Sequence, residues 1–486
     1  MLESCGRLLR TIFLFSILLV GVDVEAASGL RERWTRDRGG GNMIDAKGDI
    51  IQEWNGRIWK YSGVDGSFLW SRFFEIPGYV LPPELDKDGN AVLAGVLRAT
   101  NEQNAQVFLA KVGAETGESL WEKTLVLEGC TNVWTADVKP NGSGEIFVLA
   151  VELPNEKGRM LKFTDTGELR WNKDLGELSG GVLAIGTNEI ACVGHRTWDL
   201  YAVKVREEDG GTLTELQTHL GTNDVYFVTE ASFDRQGGVA FTGQSYPASR
   251  IFTGKISGAG ELLWVQWKGR PPNLPGGGSA GGRQLMTLAD GDVVVLGRYF
   301  VGSPGVDGGY LARYNGADGV VKWGREFGVL PEEQGEEKWY SFDRFAQDWD
   351  GNLILPARYG QMQSKLYKVD IKSGELIWDI LQDIYVWAAH GPGVLVLSGD
   401  DYKGKFSASP EHVFKSYSLG PELRTRVVGD EMEVGWESEN LGLKLERLKG
   451  GLESGEWLEV EGSTATNLVR VPRSEGTGMF RLVTEF

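Results

Sequence analysis

Cysteine is nearly absent from this chain, with three in 486 residues. Cys5 lies in an N-terminal apolar segment, which leaves Cys130 and Cys192. No disulfide framework can hold such a fold. The two thiols could pair across neighbouring repeats or stand as separate buried groups, as the apolar run around Cys192 suggests. Histidine is equally scarce. His195, His219, His390 and His412 are the four present, and none has H-x-x-x-H spacing or adjoins a cysteine. That argues against a zinc site. Lysine and arginine form no run or basic stripe, and the formal net charge is −18. Phosphate affinity needs grouped cations, so a nucleic-acid partner is excluded. Beyond the N-terminus no run reaches 18 apolar residues, which excludes stable membrane insertion of the mature chain. There is no G-x-S-x-G, no P-loop and no G-x-G-x-x-G before a helix. The Gly-rich stretch from Pro272 to Arg283 reads as a flexible loop, because no helix follows it to cradle phosphate.

The N-terminus reads as a cleaved secretory signal over residues 1–27. Arg7 and Arg10 supply the positive region and Thr11 to Val22 the apolar core. Val24 and Ala26 are the small residues before cleavage. An uncleaved anchor is the alternative. The expectation is a secreted or periplasmic protein.

What the chain has in abundance is glycine and tryptophan, 68 and 17 residues. They recur together. VDGSFLW ends at Trp70, ETGESLW at Trp121, DTGELRW at Trp171, GAGELLW at Trp264, ADGVVKW at Trp323 and KSGELIW at Trp378. A decayed copy, GGTLTEL, runs from Gly210 to Leu216, with Leu216 read in the place of Trp. A spacing of roughly 45 to 60 residues marks a radial or stacked array of one supersecondary unit. A second motif precedes each copy, a polar turn followed by an apolar β run, as in DKDGNAVLAG from Asp86 and DWDGNLILPA from Asp348. The turn residues suit positive φ and the runs suit strands. A third strand, such as QVFLAKV or KLYKVDI, lies between the two. No helical period follows the signal.

The fold expected is therefore all-β: an eight-bladed β-propeller over residues 28–420, with a small β-sandwich-like module over 421–486. Seven blades is the alternative, if the segment near Leu216 is a long connection. The strand around Trp34 lacks its own hairpin and the last repeat lacks its Trp strand. Joining them would close the ring and remove two exposed sheet edges. A ring repeated once per blade at one depth reads as an inter-blade wedge, and Trp171 is expected to be fully buried.

The Trp segment resembles the repeat of the pyrroloquinoline-quinone dehydrogenase-type propellers. Their pattern places Asp in the third strand, then Thr or Ser before Gly, then Trp four residues on. LYKVDIKSGELIW matches it with Asp370, Ser373, Gly374 and Trp378, whereas Gly113 replaces the Asp before Thr116, Gly117 and Trp121. The resemblance covers about Leu30 to Leu419 and implies the fold. Catalytic members of that family hold calcium and the quinone on the axis, often under a ring formed by two adjacent cysteines. This chain has no adjacent Cys pair, and the family's Glu, Asn and Asp ligands have no matching motif here. No cofactor and no metal are therefore expected. The tail, with SGEWLEVEG from Ser454, resembles a short C-terminal module found on secreted bacterial proteins.

Two D-x-D-G-N turns, at Asp86 and Asp348, could suggest calcium, but each sits where a blade needs a hairpin and lacks a downstream bidentate acid. The long connections follow the Trp strands or join second and third strands, so they emerge on one end of a propeller. Binding residues concentrate on such loops. The candidates are Trp339, Tyr340, Arg270, Arg283, Asp401 and Tyr402, types that dominate interface energetics or stack on flat ligands. No catalytic residue is assigned. The expected function is a secreted, non-enzymatic binding or scaffolding propeller for a protein or glycan ligand. The alternative is an enzyme, either a quinone-dependent oxidoreductase or a carbohydrate-active propeller.

Overall fold

A computed structural model describes residues 31–37 and, with interruptions, 43–484. The longer stretches outside it include 273–277, 302–307, 329–339 and 402–410. The N-terminal segment read as a signal also lies outside the described residues.

The chain is a β-propeller followed by two small sheets. Seven antiparallel sheets are built from consecutive strands, over residues 43–73 (sheet 1), 78–128 (sheet 2), 132–177 (sheet 3), 180–218 (sheet 4), 225–268 (sheet 5), 278–327 (sheet 6) and 340–382 (sheet 7). An eighth is composite. Its first three strands span residues 385–418, and Arg31–Asp37 pairs with Glu411–Ser418 as the fourth. The register carries the same irregularity as elsewhere. A bulge precedes Trp34, which sits opposite Ser416, just as one precedes Trp121 opposite Lys111. The first strand of sheet 8 packs against the first strand of sheet 1, so the sheets follow one another around a ring. The segment near Leu216 is the regular fourth strand of sheet 4, Thr212–Thr218.

Burial explains the strand order. Second and third strands are covered on both faces by neighbouring sheets. Ile146–Leu153 and Ile251–Ile256 are therefore almost wholly buried, matching their unbroken apolar runs. Fourth strands such as Leu169–Glu177 form the outer wall and are largely exposed.

The Gly-Trp pairing is an inter-sheet joint. Trp70 of sheet 1 lies under the turn glycine of sheet 2: a Cβ on Gly117 would sit 2.5 Å from the indole, and Gly117 has φ +69°. The Trp70 Nε1–H donates to Ala114 O of that turn, and Lys60 Nζ donates to the same carbonyl. Trp171 and Lys162 likewise share Glu207 O, and Trp323 and Arg313 share Ile371 O. These cations are buried because each also meets the acid of its own first turn: Lys60 with Asp45, Lys111 with Asp86, Lys255 with Asp234, Lys368 with Asp348. Burial of a charge is tolerable only with such pairing.

Two expectations are corrected here. Trp70 and Trp264 are buried, but Trp171 is only half-buried, although it docks on Gly210 and donates to Glu207 O in the same way. In sheet 4 the Trp position belongs to Thr214, not Leu216. Thr214 pairs with Lys204 and faces Gly260, whereas Leu216 packs two residues further along the strand against the core between sheets 4 and 5. Counting four residues from Gly210 locates it. The structure also leaves Cys130 and Cys192 as free, buried thiols. The D-x-D-G-N motif at Asp86 is turn chemistry: its carboxylate accepts from the N–H groups of Asp88 and Asn90 and pairs with Lys111.

After the propeller come two three-stranded antiparallel sheets. One comprises Arg424–Val428, Glu431–Gly435 and Leu468–Pro472; the other Leu443–Lys449, Glu456–Glu459 and Phe480–Thr484. Val434 and Leu445 are buried within them.

Candidate functional site: the axis and the long-connection end

First strands line the axis, and five of them are irregular at one depth. Bulges fall before Asp137, Glu230 and Gln284 in sheets 3, 5 and 6. In sheets 2 and 7 the first strand is broken in two, Gly78–Val80 with Glu84–Leu85 and Tyr340–Phe342 with Ala346–Gln347. A bulge re-aims side chains and bends the strand. Asp137, Glu230, Gln284 and Arg344 each stand four residues before the residue that opens the tight turn, namely Asn141, Asp234, Leu288 and Asp348. Glu84 and Lys139 stand two residues before it.

Residues from four sheets thus converge on the axis. Lys139 Nζ lies 2.8 Å from Glu84 Oε1 and 4.0 Å from Asp137 Oδ1. Asp137 accepts the N–H groups of Val138 and, from sheet 4, Leu183. Enclosure raises the Asp137 carboxyl to about 6, against the opposing pull of Lys139. Enclosure raises Glu230 to about 7, with Lys139 opposing and Asp137 adding to the rise. For Lys139 burial works against the charge, but Asp137 and Glu84 outweigh it and its pKa rises. Both acids are therefore poised to change charge near neutrality. Among the described residues no group of three or more His, Cys, Asp or Glu is placed to hold a metal ion.

The end bearing the long connections also carries exposed aromatics. Trp134 and Phe227 begin first strands; Tyr246 and Phe300 end second strands; Trp198 tips a hairpin. All five are 45% exposed or more. Between Trp134 and Phe227 lies buried His195, edge-on to Phe227 with centroids 5.2 Å apart. Burial lowers its pKa, opposed by Glu156, and its Nδ1 has no partner among the described residues.

Of the residues read from sequence, Arg270 is half-buried on the connection after the fourth strand of sheet 5. Arg283 is not on that connection. It lies inside the axial strand Gly278–Thr287, exposed at the bulge beside Gln284. The strand forms because Ser279 to Gly282 pair regularly with Gly297 to Phe300, so the Gly-rich loop ends earlier than its composition suggests. Tyr340 opens the strand Tyr340–Phe342, and Asp401 ends the strand Val394–Asp401. Trp339 and Tyr402 lie outside the described residues. Sequence reading missed Asp137, Glu230 and Arg344, although counting back four residues from each tight turn would have found them.

No protein-family model matches the chain, and no curated protein matches it. Among solved structures it is similar to BamB from Moraxella catarrhalis, with a TM-score of 0.50 and 12% identity over 80% of this chain and 99% of that one. The Dos1 propeller gives 0.47 and 8%, covering 81% and 96%, and Kluyveromyces lactis Hsv2 gives 0.42 and 11%, covering 73% and 98%. At these identities the likeness is one of fold, and the class it defines is the β-propeller. Among the described residues no helix is long and apolar enough to cross a membrane.

Proposed function

We propose that this chain is a secreted or periplasmic, non-enzymatic propeller that binds or scaffolds a protein or glycan ligand at its long-connection end. In this reading the eight sheets form one closed ring of PQQ-like repeats over residues 28–420, and residues 421–486 form a separate β-sandwich-like accessory module. The observation that carries the reading is the placement of exposed aromatic rings: exposed side chains beside the tight turns are mostly aliphatic, such as Leu120 and Val320. The tight-turn end spends its polar groups on its own joints, through the Lys, Asp and Trp contacts described above. The other end exposes Trp134, Trp198, Phe227, Tyr246 and Phe300 on connections and strand ends. Exposed aromatic rings are enriched in interaction surfaces. Arg270, Arg283, Tyr340 and Asp401 stand on connections of that end or on strands beneath it, and Trp339 and Tyr402, which lie outside the described residues, are proposed with them as part of the binding surface.

The test is binding of the full chain to a displayed-peptide library and to an immobilised glycan panel. Trp134→Ala and Phe227→Ala are expected to weaken binding at least tenfold without changing the melting temperature much. Lys87→Ala, on the tight-turn end, is expected to bind normally. Loss of binding through Lys87→Ala alone would overturn the assignment. Cleavage of a panel glycan, or dye reduction with added quinone and calcium, would replace it with the enzymatic alternative.

A further inference from the structure

We infer that a groove between sheets 3 and 4 is a subsite for a neutral saccharide, with Trp198 as its stacking platform. The inference rests on the reading of the long-connection end as the binding end. The groove encloses about 280 Å³ and is lined by Gly176, Glu177, Arg196, Thr197, Trp198, Asp199 and Gln217. That is just below the roughly 300–1,000 Å³ of sites for drug-sized ligands, a size suited to a single sugar ring.

The groove is built rather than incidental. Arg196 and Asp199 pair across a two-residue turn, and Thr197 adopts φ +51°. A β-branched residue is strained in the left-handed region, where Gly is the usual solution. The Thr197 hydroxyl is tied to Glu177 Oε1 of sheet 3 at 2.8 Å. The two-residue hairpin itself demands this positive φ, as at Glu156 and Ser249 in the neighbouring sheets, and the tie to Glu177 fixes the hairpin against sheet 3. The next residue, Trp198, presents a ring that is 48% exposed. A half-exposed indole on the rim of a groove offers a flat face for stacking.

The polar rim is preorganised. Arg196 stacks on Tyr201 at 3.5 Å and donates to Glu177 O, Leu175 O and Gln217 Oε1. Asp199 Oδ2 accepts from Gln217 Nε2 at 2.8 Å, and its Oδ1 lies 3.3 Å from His219 Nδ1. These groups are fixed but not exhausted, since each carboxylate oxygen can accept more than one hydrogen bond. A flat apolar face beside fixed planar acceptors and donors matches a sugar ring, whose C–H face is apolar and whose edge is a row of hydroxyls. Charge narrows the class. Glu177, Asp199 and Glu215 surround the single guanidinium of Arg196, which Glu215 faces at 3.5 Å. The acidic surplus repels an anionic ligand, and the Trp198 face and the row of fixed hydrogen-bonding groups favour a neutral sugar.

The experiment uses the full chain and a panel of neutral oligosaccharides (β-glucan, xylan, mannan, galactan and chitin fragments) with sulfated and uronic analogues as the anionic arm. Binding of at least one neutral member is expected, with weaker or no binding of anionic ones. Trp198→Ala should reduce affinity at least tenfold, Trp198→Tyr should restore most of it, and both should melt like the parent. Failure of every neutral saccharide to bind, or unchanged binding in Trp198→Ala, overturns the groove. If saccharide or peptide binding instead falls with Trp134→Ala and not with Trp198→Ala, the groove assignment fails while the binding reading of that end stands.

Discussion

At the scale of single residues, the turn glycines and the axial acids behave in opposite ways. Gly117 serves two needs at once, positive φ and the absence of a Cβ against Trp70. Gly117→Ala should therefore cost about 2–4 kcal/mol, combining left-handed strain with overpacking. Gly142→Ala, where nothing lies within 4 Å, should cost much less. Chemical denaturation of both variants checks the contrast, and equal losses would contradict the joint. Trp171→Ala should fall at or below the lower end of the roughly 3–5 kcal/mol typical of buried Trp, because Trp171 is half-buried. The axial acids work through pH. Glu230 titrates at about 7 in the fold, above its ordinary 4.5. The unfolded chain releases that proton earlier, so stability from this group is full below the ordinary value and is lost as pH rises through 7. Glu230→Gln should be nearly neutral at about pH 4 and stabilising by about 1–3 kcal/mol at about pH 8. A variant that gains nothing at pH 8 would show that the carboxylate is well compensated by Lys139 and Arg344. His195 has the opposite sign. Its lowered pKa means that its contribution is present above the ordinary value and is lost as pH falls.

At the scale of elements, the joint between sheets 4 and 5 stands apart. It keeps the receiving glycine, Gly260, but offers Thr214 where five other joints offer a docked Trp. A cavity of about 10 Å³ lies in this seam among Ala191, Val193, Ala202, Lys204, Leu216, Val239 and Ile256. That is space for the centre of one water at most. Thr214→Trp should reproduce the neighbouring joints and stabilise by about 1–2 kcal/mol through added apolar burial. A fall in melting temperature would mean that the seam has closed around the smaller residue. The same logic explains why the repeat was readable at all. Gly and Trp belong to different sheets in each joint, yet most sheets supply one of each, so the pair recurs locally in sequence.

At the scale of the molecule, both chain ends of the propeller meet in one sheet. Arg31–Asp37 supplies the outer strand that residues 385–418 lack, with Trp34 in the register of the other Trp residues. Deleting residues 31–37 would expose the edge of Glu411–Ser418. It should lower the melting temperature and promote association, which light scattering would detect. A deletion variant that melts like the parent and remains monomeric would argue against the closure.

The sequence by itself determined the all-β propeller class, the turns and the pairing of the Trp34 strand with the last repeat. Those follow from local rules: apolar runs, positive-φ glycines, and a Trp four residues after each. It misplaced one residue, Leu216 for Thr214, because a decayed copy with two adjacent glycines offers two frames and only pairing with Lys204 selects one. It ended the Gly-rich loop too late, at Arg283, because cross-strand pairing rather than composition decides where a strand begins. The axial cluster was decided by tertiary structure alone. Glu84, Asp137, Glu230 and Arg344 are separated by up to some five repeats of chain and share no local motif. They meet because first strands with the same irregularity at the same depth are carried around one ring, and charge interactions depend on distance through space, not along the chain.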